Sequence, residues 1–294
     1  MYNEFLHIFR NTPFGREILL QSLCFCKKTK TLLRLYIPRY HQFLMYFNNK
    51  VITVQLDKSF LRSPGTAKKH AEDIIKTEGI EPKFIELMPE DYTASIPNLP
   101  VDFTYMCCPR SISDLSTKIG LGYIGTTVRS IIKNSGFPIL IPSTVYKEWK
   151  SITVFFGGSK NSYNVLRLGV KISVLSGLPL KVFTQTEKHN KEYYRKSIEG
   201  TLDECKKRLN DIGDSIEIDK NNILKTLKFE WLYFDKGEFY KNLYSVAHDT
   251  LVVVGSYGHS VVKDILFGSK MEQIQATLPN NLLIVGPKYN SKIF

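Results

Sequence analysis

Short apolar runs alternate with amphipathic stretches along this chain. Leu251-Val252-Val253-Val254 and Leu282-Leu283-Ile284-Val285 are apolar at consecutive positions, and Ile152-Thr153-Val154-Phe155-Phe156 is apolar at all but Thr153. That pattern marks strands covered on both faces rather than strands with one wet side. Helical periodicity lies between the runs. Ile198, Leu202, Cys205 and Leu209 recur at spacings of four, three and four, which predicts a helix over about Lys191 to Asn210 with a core-facing stripe. Ser63 is placed to cap a helix, Pro64 suits its first position, and the periodic stretch ends at Gly79. Buried strands alternating with helices predict a parallel α/β sheet.

The pattern occurs twice. The segment from Phe5 to Pro38 lies over that from Ile152 to Thr186, with Phe9 opposite Phe156 at an offset of 147. Each reads as strand, small polar turn, helix of about four turns and strand. Lys83 to Leu87 then matches Lys228 to Leu232 at 145, Asp102 to Met106 matches Asp249 to Val253 at 147, and Ile124 to Pro142 matches Phe267 to Val285 at 143. Four matches in one order divide the chain into residues 1–147 and 148–294, with a linker near Thr144 to Lys150. The copies are unequal. The first carries an insertion, Arg39 to Phe60, rich in Tyr and Phe, read as a lid, a partner surface or a segment packed over the domain edge, the last being expected. Where the second copy predicts a helix over Glu238 to Ala247, the first has a Pro-broken stretch, Tyr92 to Pro97.

Composition fits two compact globular domains: 294 residues, 43% hydrophobic and 23% charged. The start of the chain does not read as a secretory signal, and no apolar run is long enough to cross a membrane, so a soluble cytoplasmic protein is expected. Five cysteines at spacings that match no zinc module are expected to be buried, inert thiols in a reducing compartment. The net charge of +12 raises nucleic acid, an acidic membrane and acidic partners. The basic residues are scattered over helix faces without interleaved aromatics, which argues against specific nucleic-acid binding.

Leu251 to Val254 empties into Gly255-Ser256-Tyr257-Gly258, followed after nine residues by Gly268-Ser269. Glycines between a strand and a helix allow close backbone approach, and free N–H groups there attract anions, phosphate foremost. The spacing G-x2-G-x9-G-[ST], with Ile152 to Phe156 running into Gly157-Gly158-Ser159, resembles the universal stress protein family in its tandem form. The resemblance implies two domains, each an open five-stranded parallel sheet of order 3-2-1-4-5 with helices on both faces. It implies ATP, ADP or AMP, with or without Mg, in the second domain. The phosphates fall to Gly255, Ser256, Gly258, His259, Gly268 and Ser269, the nucleoside to Gly157 and Gly158, and adenine to the end of the second strand near Val182, Phe183 or Thr184. ATP-binding relatives usually carry an acidic residue where the first strand ends, and this chain has Gly157. A lost carboxylate acceptor there costs about 1 to 3 kcal/mol. At the 147 offset the first copy has Cys108 and Ser111 for Gly255 and Gly258, and Arg10 for Gly157, so it is expected to be a degenerate, structural partner.

The expected function is a cytoplasmic stress-response sensor or regulator that binds an adenine nucleotide, with slow ATPase turnover at most, since no general base or metal-carboxylate constellation accompanies the loop. The alternative is an interaction scaffold that binds no nucleotide and recruits an unknown protein partner. The resemblance further implies that the last strands of the two halves pair, giving an intramolecular pseudo-dimer that is a monomer or homodimer overall.

Overall fold

The computed structural model of the protein describes residues 3–48, 50–57, 63–110, 112, 124–187, 189–211, 229–256 and 269–290. The chain forms two compact units, Met1–Glu148 and Trp149–Phe294.

The first unit runs β1 (Glu4–Ile8), α1 (Gly15–Thr29), β2 (Leu32–Tyr36), β3 (Gln42–Phe47), β4 (Lys50–Gln55), α2 (Pro64–Thr77), β5 (Lys83–Phe84), β6 (Tyr92–Thr93), β7 (Ile96–Leu99), β8 (Tyr105–Cys107), α3 (Thr126–Asn134) and β9 (Ile139–Ile141). Five strands lie in the order β5-β2-β1-β8-β9, all parallel. The order follows from burial: β1 is covered on both faces, with Phe5 and Leu6 fully buried. Phe5, Phe25 and Tyr105 meet with ring centroids 5.2 and 5.0 Å apart along that core.

The insertion supplies β3 and β4 of a second, four-stranded sheet, β4-β3-β7-β6, whose other two strands come from Tyr92 to Leu99. β3 and β4 are an antiparallel hairpin whose Phe43, Met45, Ile52 and Val54 are buried. Tyr92 to Pro97, which lacks a helix as its proline suggested, is a tight hairpin turning at Ala94 and Ser95, both at positive φ (48° and 67°). Pro64 takes the first turn of α2, but Ser63 bonds the Thr66 hydroxyl (2.6 Å) instead of capping a backbone N–H.

His7 lies inside β1, 2% exposed, with Nδ1 2.8 Å from Ser22 Oγ. Burial pushes its pKa from 6.5 down to about 3. The unfolded chain takes up this proton as pH falls below 6.5 and the folded chain does not until about 3, so stability from this site is complete above 6.5 and declines towards 3. About 2 kcal/mol should be lost between pH 7.5 and 5.0, and His7→Gln should flatten that slope. Amide exchange of β1 at both pH values measures it; an equal slope in the variant contradicts the assignment.

The second unit runs β10 (Ser151–Phe155), α4 (Lys160–Ser176), β11 (Leu180–Gln185), α5 (Lys191–Asp211), β12 (Phe229–Phe234), α6 (Phe239–Asn242), β13 (Thr250–Gly255), α7 (Ser269–Thr277) and β14 (Leu282–Val285). Its sheet order is β12-β11-β10-β13-β14, again parallel and again 3-2-1-4-5 by strand number. The repeat is visible in single bonds: Phe9 N–H donates to the Tyr36 carbonyl, and Phe156 N–H to that of Phe183, each 2.9 Å. On α5, Ile198, Leu202 and Cys205 are buried as one stripe.

One expected helix is much shorter. Over 238–247 only α6 and one 3-10 turn, Leu243–Ser245, form, because Val246 turns to extended backbone (ψ 120°) to feed β13. Phe239 and Leu243 still bury there while Tyr244 stays 74% exposed.

All five cysteines are free and buried. Burial raises the Cys107 thiol to about 12 and that of Cys205 to about 11, which makes both unreactive as thiolates. Among the described residues no cluster of His, Cys, Asp and Glu suits a metal ion, and no helix is long and apolar enough to cross a membrane.

Candidate functional site

In the second unit the strand order reverses between β10 and β13, and open α/β sheets bind ligands at the carboxyl ends of the strands flanking such a reversal. Those ends carry Gly157 and Gly158 after β10, and Gly255 and Ser256 at and after β13. The turn after β10 opens α4, where Ser159 Oγ accepts the Ser162 N–H at 3.3 Å. Four of the expected site residues thus converge on one edge of the sheet.

Two further features join them. Asn161, in the first turn of α4, lies so close to Gly255 that a Cβ there would stand 2.7 Å from its Nδ2. Gly255 is therefore a contact surface for a polar side chain. Asn161 Nδ2 and Ser256 Oγ are both buried without a hydrogen-bond partner among the described residues. Buried polar atoms are seldom left so, because each costs about 1 to 3 kcal/mol when unpaired. One donor and one hydroxyl beside a helix N-terminus form an arrangement suited to an anion's oxygens.

On the other side, Gly158 holds φ +74°, and its missing Cβ leaves space for Tyr194 and Tyr193, whose ring carbons lie 3.3 and 3.4 Å from that point. Both tyrosines belong to the first turn of α5. His189 stacks on Tyr193 at 3.9 Å, and Phe156 meets Tyr163 edge to face at 5.2 Å. The chain leaving β11 therefore brings an aromatic cluster to Gly158, beside Gly157.

Val182 and Phe183 lie within β11, buried, with Gln185 as the strand's last residue. Phe183 stacks on Phe155 at 4.5 Å and meets Phe234 at 5.0 Å. Thr184 Oγ1 accepts from Trp231 Nε1 at 3.1 Å. Ser269 opens α7, while Gly258, His259 and Gly268 lie outside the described residues.

Lys270, in the first turn of α7, pairs with Glu187 just beyond β11, and its Nζ sits 4.8 Å from the Phe239 ring centre. Burial lowers the Lys270 pKa. The pair ties the helix after the glycine run to the end of the second strand and places a cation beside it. Sequence reading passed over Asn161, Tyr193, Tyr194 and Lys270. A signal existed for the last, which directly follows Gly268-Ser269.

In the first unit the equivalent edge carries different chemistry. Arg10 follows β1, with burial lowering its pKa against the opposing charge of Asp57. Cys108 is fully buried, and burial raises its pKa. Ser111 lies outside the described residues.

No family model matches the chain, and no curated protein matches it. Solved structures do. A universal stress protein from Archaeoglobus fulgidus DSM 4304 superposes with a TM-score of 0.62 at 12% identity, covering 97% of this chain and 99% of that one. A putative universal stress protein from Pseudomonas aeruginosa UCBPP-PA14 gives 0.54 at 10% identity, covering 98% and 94%. A functionally unknown protein from Pseudomonas aeruginosa PAO1 gives 0.52 at 11%, covering 98% and 93%. Such identities speak for the fold alone. The order 3-2-1-4-5 in both units and the end-to-end superposition give the chain the tandem fold of universal stress proteins.

Proposed function

We propose that the protein is a cytoplasmic stress-response regulator of the universal stress type that binds ATP, or another adenine nucleotide, in its second domain. The observation that carries this reading is a pair of buried polar atoms, Asn161 Nδ2 and Ser256 Oγ, that have no hydrogen-bond partner among the described residues and lie at the reversal of strand order beside Gly255. The phosphates take the backbone from Gly255 to Ser269, with Gly258, His259 and Gly268 in that run, and lie near the N-terminus of α7, whose dipole favours negative charge by about 0.3 to 1 kcal/mol. The nucleoside lies over Gly157 and Gly158, with adenine beyond Val182 and Phe183 where β11 ends. There the faces of Tyr193 and His189 offer stacking in place of a carboxylate. Mg is optional in this reading, and the protein senses nucleotide rather than turning it over.

Thermal unfolding with and without ATP and Mg tests the proposal. At a hundredfold excess over Kd the ligand adds about 2.7 kcal/mol, a rise of about 5 to 10 °C for a domain of this size. Gly258→Glu, which sets a carboxylate where phosphate is expected, should abolish the rise.

The tyrosines packed on Gly158, together with Gly157, favour a second reading, a scaffold that binds no nucleotide and recruits a protein partner. No shift in the wild type supports the scaffold and sinks the nucleotide reading.

A further inference from the structure

The first domain, expected to be a structural partner alone, holds a cavity of about 310 Å³ between the carboxyl ends of β2 and β5 and the first turn of α2. Its size falls at the lower end of the range of small-molecule pockets. None of its lining residues comes from β1 or β8, so it lies apart from the counterpart of the second domain's glycine run and meets the counterpart of that site only at Tyr36, on the end of β2. In the second domain the equivalent of Tyr36 is Phe183, by their matching bonds from Phe9 and Phe156, and there Phe234 and Phe239 pack on that ring.

The walls are aromatic. Tyr36, which is 5% exposed, Phe84, Tyr40 and Tyr92 all line the cavity, and Tyr40 and Tyr92 meet edge to face at 6.0 Å. Tyr40 belongs to the insertion and Tyr92 to β6 of the sheet that the insertion joins, so the insertion supplies part of this wall. Burial, then the nearby Tyr92, raises the Tyr36 pKa, which leaves its hydroxyl a neutral donor.

The rim is positive. Arg39 and Lys68 both line the cavity against one carboxylate, Glu86, and neither cation forms an ion pair among the described residues. Lys68 Nζ stands 4.7 Å from the Phe84 ring centre, so the charge sits directly at the aromatic wall. Gly65, in the first turn of α2, also faces the space. Aromatic walls with two cations that form no ion pair among the described residues select a ligand that is both aromatic and acidic.

We propose that this cavity binds a small aromatic molecule carrying one anionic group, a carboxylate, sulfonate or phosphate. The ring lies against Tyr36, Phe84 and the Tyr40 and Tyr92 pair, and the anion lies beside Arg39 and Lys68. The site is independent of nucleotide binding in the second domain and stands or falls separately.

Two fluorescent probes of nearly the same shape test it on the full chain: 8-anilinonaphthalene-1-sulfonate, and 1-anilinonaphthalene, which lacks the sulfonate. The sulfonate should bind saturably, one per chain, about tenfold more tightly than the neutral probe. Lys68→Glu and Arg39→Glu should each weaken the sulfonate about tenfold and leave the neutral probe nearly unchanged, while Lys68→Arg retains binding. Tyr40→Ala should weaken both probes. Lys68 and Arg39 are exposed, so their variants should fold. Unsaturable binding, equal affinity for the two probes, or sulfonate binding indifferent to both charge reversals overturns the proposal.

Discussion

Replacing Phe183 with alanine is expected to destabilise the second domain by about 3 to 5 kcal/mol, the cost of deleting a large ring from a packed core. Its ring is 2% exposed and touches three others: Phe155 at 4.5 Å, Phe234 at 5.0 Å and Phe239 at 5.9 Å between centroids. These rings link β10, β11, β12 and α6 beneath the candidate site, so the cavity left behind cannot close by moving one neighbour. The measurement is selective. The protein's two tryptophans, Trp149 and Trp231, both lie in the second unit, so urea unfolding followed by their fluorescence reports that domain alone. A loss below about 1 kcal/mol would show that the ring is not core.

Gly169→Val is expected to cost about 3 kcal/mol and to remove ATP-dependent stabilisation as well. Gly169 lies on the buried face of α4, where a Cβ would fall 2.1 Å from Val154 Cγ2 on β10. Helix and strand approach that closely because position 169 has no side chain. A valine there forces α4 away from the sheet, and with it Asn161, whose amide is set against Gly255 at the other end of the contact. Stability and site geometry are thus coupled through one packing distance. The same urea titration and a thermal scan with ATP check both halves; a stable variant that still responds to ATP would contradict the coupling.

The fold was legible because its strands are buried twice over. The apolar runs at 152–156, broken only by Thr153, and at 251–254 fit strands covered on both faces, the helical patterns between them point to a parallel sheet, and the repeat showed that the same sheet is made twice. Gly255 was legible for a related reason, since glycine at a strand end carries a steric message. Asn161 was not. A polar residue in a first helical turn is ordinary, and its meaning comes from Gly255, which the fold brings to it from far along the chain. The hairpin at Tyr92 to Pro97 was hidden because Ala94 and Ser95 adopt positive φ without the glycine or asparagine that usually announces it. Helix α6 is shorter than its pattern because the chain must straighten at Val246 to enter β13. The cavity of the first domain draws on residues from the ends of β2 and β5, from α2 and from β6, and no single segment hints at it.

The second domain is proposed to hold a nucleotide's phosphates at the reversal of its strand order. A crystal structure grown with ATP tests it most directly. Phosphate oxygens should lie within hydrogen-bonding distance of Asn161 Nδ2, Ser256 Oγ and the backbone between Gly255 and Ser269, with the base near Tyr193 at the end of β11. A structure in which Asn161 and Ser256 bond only to protein or water while ATP is absent, or lies elsewhere, would contradict it.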